Sequence, residues 1–360
     1  MRSIGYWLLA LGLLGPLATG AAVTAGPETV ARHAHYDYFA VGDTAAPRAK
    51  HTELVVALMG GGGRLDAAFR ALGNAARHGH IVILRAVSDG SFDPDDGDYG
   101  RSFMTDWGPV RSARTLVFHD REASYDPEVL ATLRAADGIF LAGGDQANYV
   151  RYWKGTPVQE LLNAHVRAHR PIGGSSAGLA ILGNYSYTSL DGGSLESRIA
   201  LSDPYGPAVT LDTDFLHVPG LEGLITDTHF SARSRLGRLI TFVARLDATF
   251  PAARLCGLGV DEASALLVDA KGIGRLADGS AGSAWLVTIG KRGPVPAGQP
   301  LAVDAVDVVR LDAGSRIDVR RRQVTASAER RIEAVHDGHV AVGSASAAMF
   351  RRESVPADED

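Results

Sequence analysis

Short runs of consecutive apolar residues alternate with helically spaced stretches along the first half of the chain. ELVVALMGGGG (53–63) is apolar throughout and ends in glycines. RLDAAFRALGNAARHG (64–79) follows, with Leu65, Phe69, Leu72 and Ala76 three or four positions apart, the spacing of one helix face. HIVILRAV (80–87), TLVFHD (115–120) and GIFLAGGD (138–145) are further apolar runs, and PEVLATLRAAD (127–137) is helical. One long helical stretch is expected from Ala147 to His169. The strand PIGGS (171–175) and a helix opening near Ser176 come next. Strands without polar alternation are buried on both faces, so the pattern predicts an α/β fold with a mostly parallel central sheet flanked by helices. Several strands end in glycine-rich turns, where open parallel sheets bind their ligands.

The flanks read differently. Arg2, the apolar run Ile4–Leu14 and the small residues after Pro16 outline a secretory signal peptide over residues 1–25. The expected compartment is therefore secreted or periplasmic, with no membrane association after cleavage. Residues 26–50 read as an N-terminal arm, 51–275 as the main domain, 276–352 as a β-rich extension and 353–360 as an acidic disordered tail. After about residue 255 the runs shorten to LCGLGV, SALLVDA, SAWLVTIG, VDVVRLD and SRIDVRR, which predict hairpins that extend the sheet or form a small β appendage. Residues 88–108 are polar and rich in Gly and Asp and are expected to form a long loop. Their acids Asp93, Asp95, Asp96 and Asp98 lack the ordered ligands and closing Glu of a calcium loop.

Composition narrows the chemistry. Of the 360 residues, 46% are apolar and 21% charged, and the net charge is -5, which leaves no basic footprint for nucleic acid. The single cysteine, Cys256, lies in an apolar run and reads as core. No metal or cofactor is expected. Among the 12 histidines, His33, His35, His165 and His169 read as surface residues, the last two spaced i, i+4 without the Glu of a zinc-peptidase helix. The run Arg320–Arg322 is expected in solvent.

The five residues Gly174-Ser175-Ser176-Ala177-Gly178 fit a strand that turns sharply into a helix through G-x-S-x-G. Such a turn lifts the middle serine hydroxyl above the sheet, and the helix N-terminus offers free N–H groups to an oxyanion. The frame singles out Ser176; a plain small-residue junction would look the same over these five positions. A serine needs a base, usually a histidine oriented by a carboxylate. His229 lies in GLITDTHFSARSRLGRL (223–239), at the end of an apolar run among Asp227, Arg233, Arg235 and Arg238. The adjacent acids Asp261 and Glu262 sit between two apolar runs, where burial is costly unless they are paired. In an extended stretch they face opposite ways, so one of them reaches the histidine.

LAGGDQ, GGSSAG, DTHFSARSRLGRL and GVDEASAL, in this order over residues 53–269, resemble the cyanophycinase and dipeptidase-E serine peptidases. The resemblance implies a fold similar to class I glutamine amidotransferases, with Ser176 as nucleophile, His229 as base and Glu262 as its orienting acid. It also implies an oxyanion hole from the amides of Gly144 and Ala177. Gln146, Asp227, Thr228, Arg233, Arg235 and Arg238 would bind the substrate or support its pocket. Thr228 stands where cyanophycinases typically have Gln. The implied partner is a peptide or polymer rich in Asp and Arg, such as cyanophycin cut to β-Asp-Arg; a homodimer is also entertained. An α-aspartyl dipeptidase, another hydrolase on this scaffold and a silent peptide-binding relative are the alternatives.

Overall fold

The first half of the chain folds into strands β1 (Thr29–Arg32), β2 (Tyr36–Gly42), β3 (Val55–Met59), β4 (His80–Ala86), β5 (Ser112–Phe118), β6 (Gly138–Leu141) and β7 (Ile172–Ser175). The helices among them are α1 (Asp66–Ala75), α2 (Asp98–Thr105), α3 (Pro127–Ala135), α4 (Gln146–Trp153), α5 (Pro157–Arg167) and α6 (Ala177–Ala180). The computed structural model describes residues 28–340 apart from 252, 291–293 and 326–327. The expected signal peptide and acidic tail lie outside the described residues.

β5, β4, β6, β7 and β3 lie side by side in that order and run parallel. Their apolar runs are buried because helices cover both faces; Ile81–Leu84 and Ile139–Leu141 are fully enclosed. Each such side chain contributes roughly 1.5–3 kcal/mol through burial. The residues expected to form an arm contribute a hairpin, β1–β2, which pairs antiparallel with β5.

The second half supplies strands β8 (Ser186–Tyr187), β9 (Leu211–Asp212), β10 (Leu224–Asp227), β11 (Cys256–Val260), β12 (Ala265–Asp269), β13 (Ile273–Leu276), β14 (Ala284–Ile289), β15 (Val303–Leu311), β16 (Arg316–Asp318), β17 (Gln323–Thr325), β18 (Ala328–His336) and β19 (His339–Val340). Its helices are α7 (Ser197–Ser202) and α8 (Leu236–Thr249). β12, β13, β16 and β17 extend the main sheet antiparallel beyond β3. β10, β11, β14, β15, β18 and β19 form a second sheet in that order. The chain therefore changes sheets between β11 and β12, across Asp261–Ser264. Residues after 275 share both sheets with residues before it.

Four expectations are corrected. The helix expected from Ala147 to His169 is broken between α4 and α5, where Gly155 adopts φ 68° and Pro157 opens the next helix. The expected loop 88–108 contains α2. There Phe103 and Trp107 are buried, and Trp107 stacks on Phe69 with ring centroids 3.8 Å apart. Its acids serve structure: Asp93 accepts from Asp95 N, Asp96 pairs with Arg85 and Asp98 with Arg101. The polar composition hid a helix held by its aromatic side. Finally, His165 is buried rather than exposed, because Nε2 donates to Pro171 O at 3.0 Å at the turn from α5 into β7. Arg322 likewise leaves the solvent to donate from Nε to Cys256 Sγ at 3.0 Å.

Burial pushes His165 down from its ordinary 6.5 to about 4. The unfolded chain therefore binds a proton there that the folded chain refuses between those two values. Stability should fall as pH drops from 6.5 toward 4, by up to about 3 kcal/mol from this group, and its contribution should be flat below. Chemical denaturation of wild type and His165→Leu across pH 4–7 should show the shallower pH dependence in the variant.

Candidate active site

Three neighbouring strands, β6, β7 and β3, end at the same sheet edge, and antiparallel β12 begins there. The turn after β7 places Ser176 at φ 53°, ψ −117°, a sparsely populated conformation for a residue with a side chain. Small flanking residues permit it. A Cβ on Gly178 would lie 2.1 Å from Leu141 O, and one on Gly174 2.5 Å from the backbone of Gly178. Ser176 N donates to Met59 O at 3.1 Å, fastening the turn to β3. Ser175 stays buried in β7.

His229 follows β10 in a turn at φ 44°, its amide donating to Gly60 O at 2.8 Å. Its Nε2 lies 2.8 Å from Ser176 Oγ, and its Nδ1 lies 2.6 Å from Glu262 Oε1. In the tautomer this pairing selects, Nδ1–H donates to the carboxylate and Nε2 accepts from the serine hydroxyl. Glu262 sits at the sheet-changing turn, where the following Ala263 has φ 49° and its amide donates to Gly61 O at 2.7 Å. Its neighbour Asp261 faces elsewhere and accepts from Ser231, Ser283 and Trp285. Burial lowers the His229 pKa below 6.5; the Glu262 bond opposes this, and Arg233 and Arg235 add to the lowering.

The glycine run after β3 lies directly beneath these groups. A Cβ on Gly61 would meet the His229 ring at 2.5 Å and Ser176 Cβ at 3.1 Å, and one on Gly62 would meet Glu262 Cβ at 2.6 Å. Sequence reasoning saw these glycines only as a strand end. Four in a row at a sheet edge was the available signal.

A pocket of about 210 Å³ opens over Ser176 and His229. Gly144 and Ala177 line it, and neither amide donates to another described group. Gln146 lines it from the start of α4; the cap of that helix is Asp145, which accepts from Ala147 N at 2.9 Å. Thr228, Arg233 and Arg235 complete one wall. Arg235 is buried and donates to Thr228 O, Thr228 Oγ1 and Ser194 Oγ, each at 2.9 Å. Burial, reinforced by Arg238, pushes it down to about 9, so it remains a cation at neutral pH. Arg233 is exposed at the mouth with no ion-pair partner among the described residues.

Asp227 and Arg238, expected to bind the substrate or support its pocket, do not line the pocket but lie behind its wall. Both are buried and grip each other: Arg238 Nε donates to Asp227 Oδ2 at 2.8 Å, and a second guanidinium nitrogen donates to Oδ1. Tyr187 lies under the guanidinium at 5.2 Å. Breaking one side of such a buried pair costs about 3–5 kcal/mol, so the pair holds the turn that carries Thr228 and His229. Sequence reasoning missed Asp145, Ser189, Gly193 and Ser194 in the lining. Only Gly192-Gly193 hinted that residues 189–194 form a turn.

Residues 116–201 match Peptidase family S51. Over 231 residues the chain is 31% identical to the cyanophycinases of Trichormus variabilis and of Nostoc sp., covering 60% of this chain and 68% of each relative. The cyanophycinase of Synechococcus elongatus is 31% identical over 193 residues, 53% of this chain and 54% of that one. Among solved structures, a peptidase from an acI-B1 Actinobacterium aligns with a TM-score of 0.50 at 16% identity, over 74% of this chain and 97% of that one. That likeness extends the shared fold over most of the described residues.

Adding one methyl group beneath the imidazole tests the arrangement. Gly61→Ala, at a position with φ 89°, should displace His229 from Ser176 and lower kcat at least 100-fold. Circular dichroism should stay native, because the methyl group meets a side chain at the sheet edge and not the core.

Proposed function

Because the chain belongs to peptidase family S51 together with its cyanophycinase relatives, we propose that this serine-type peptidase cuts aspartyl peptide or isopeptide bonds through Ser176, His229 and Glu262. The observation that carries the reading is the continuous chain from Ser176 Oγ through the imidazole to Glu262 Oε1. Ser176 Oγ attacks the scissile carbonyl carbon while His229 Nε2 takes its proton. Glu262 stabilises the imidazolium, and the amides of Gly144 and Ala177 hold the oxyanion. One such donor is worth about 10²–10³ in kcat. Collapse expels the amine, which takes the proton from Nε2, and leaves an acyl ester on Ser176. Water, deprotonated by the same nitrogen, then releases the acid and restores the serine.

The substrate we favour is cyanophycin-like, with β-Asp-Arg as product. Arg233 and Arg235 suit a carboxylate, and Asp145 at the rim suits a guanidinium. An exported enzyme would meet such a polymer outside the cell. Gln146 faces the same pocket and is placed to orient the acyl group.

Incubation with cyanophycin, β-Asp-Arg peptides, α-Asp dipeptides and casein, read by mass spectrometry, tests the substrate. Release of β-Asp-Arg, lost in Ser176→Ala and retained in Ser175→Ala, is the expected outcome. Cleavage of α-Asp dipeptides alone would make the enzyme an α-aspartyl dipeptidase, and casein cleavage without aspartyl preference would end the aspartyl reading. The pH profile offers an independent check. The acid limb of kcat/KM should rise through a pKa below 6.5, as the imidazole loses its proton. In Arg233→Ala that limb should move to higher pH, since a cation that disfavours the imidazolium is gone.

A further inference from the structure

The acid beside Glu262 closes a ring around the histidine. His229 and Ser231 are two residues apart in one turn; Asp261 and Glu262 are adjacent in another. Glu262 Oε1 bonds His229 Nδ1 at 2.6 Å, while Asp261 Oδ1 accepts from Ser231 N at 3.0 Å and Ser231 Oγ at 2.6 Å. Phe230 N, between them, donates to Val260 O at 3.2 Å. The two turns are thus stitched on both sides of the catalytic hydrogen bond. Glu262 itself is 38% exposed on its side chain, so burial alone does not hold it in place.

The remaining acceptor positions of Asp261 point into the C-terminal strands. Oδ2 accepts from Ser283 N at 2.9 Å, and Trp285 Nε1 donates to both oxygens at 3.1 and 3.2 Å. Asp261 N returns a bond to Ser283 O at 3.0 Å. The carboxylate is buried against Gly282, where a Cβ would meet Asp261 Cβ at 2.6 Å. Every group around it is a donor. An amide in its place would have to aim its NH2 at a backbone or indole N–H whichever way it turned.

We infer that Asp261 is a positioning residue that couples strand β14 to the His229–Glu262 pair, so that the β-rich C-terminal region is a working part of the catalytic site. The inference rests on the roles proposed for His229 and Glu262. Asp261 touches no reacting atom. It fixes the separation of the two turns, and thereby the length and alignment of the bond between imidazole and carboxylate. A strained turn at His229 and a half-exposed acid would otherwise each relax independently.

Asp261→Asn, Trp285→Phe and Ser231→Ala test this, with three readouts: kcat and KM, the rate of Ser176 labelling by a fluorophosphonate, and the downfield proton resonance of His229 Nδ1–H. Asp261→Asn should lower kcat and labelling at least tenfold, leave KM within twofold and broaden or shift the resonance. Trp285→Phe, which keeps the ring packing and removes one donor, should do the same by three- to tenfold. Ser231→Ala should have a smaller effect in the same direction. A folded Asp261→Asn with wild-type kcat and resonance would overturn the inference, as would a rise in KM alone. If Asp261→Asn fails to fold, Trp285→Phe decides by the same criteria. The resonance needs no substrate, so a wild type that neither turns over nor labels would remove the proposed peptidase mechanism while the His–Glu geometry is still read.

Discussion

Two backbone carbonyls hold the site together. Gly60 O accepts the amide of His229 and Gly61 O accepts the amide of Ala263, so one short loop after β3 fixes the turn of His229 and the turn of Glu262. The same loop must pass close beneath the imidazole, the serine and the glutamate, which leaves no room for a side chain at Gly61 or Gly62. Backbone hydrogen bonds to a loop anchored in a strand buried from Val56 to Met59 cost little entropy at the moment of reaction, because the ordering is completed on folding.

That constraint explains where strain appears. Ser176, His229 and Ala263 all have positive φ without being glycine, and each lies at or next to one of the hydrogen-bonded residues Ser176, His229 and Glu262. Such conformations cost about 1–3 kcal/mol apiece and persist only where the surroundings determine them. Here the surroundings are the five-stranded parallel core on one side and the Asp227–Arg238 pair on the other. The electrostatics follow the same economy of parts: the buried pair steadies the wall, Arg235 is held by Thr228 and Ser194, and Arg233 faces solvent with no ion-pair partner among the described residues.

Much of this was legible in the sequence, for identifiable reasons. Continuous apolar runs ending in glycines encode parallel strands buried on both faces, and these strands are present. The small-residue frame around Ser176 encodes a sharp turn, because only glycine fits against Leu141 O at position 178. What stayed hidden depended on partners distant in sequence. Nothing local distinguishes Arg238, locked on Asp227, from Arg233, five residues earlier and exposed at the pocket mouth. The helix α2 was masked by Asp and Gly residues, since what holds it is Phe69 and Phe140 packing against its Tyr99 and Phe103. His165 looked like a surface histidine because its carbonyl partner, Pro171 O, is set by the turn into β7.

The sheet change between β11 and β12 also sets an order of completion. β10 and β11 precede the acid at 262, but the strand that covers the open edge of β11 is β14, and β14 is covered in turn by β15. A chain elongated only through Glu262 already contains Ser176, His229 and Glu262, yet lacks Ser283 and Trp285 and leaves β11 paired on one side only, with β10. Ser176, His229 and Glu262 are thus all synthesised well before the sheet that supports them is closed. The support of the His229–Glu262 pair is consequently a late property of the growing chain, acquired with β14 and β15 rather than with Glu262 itself.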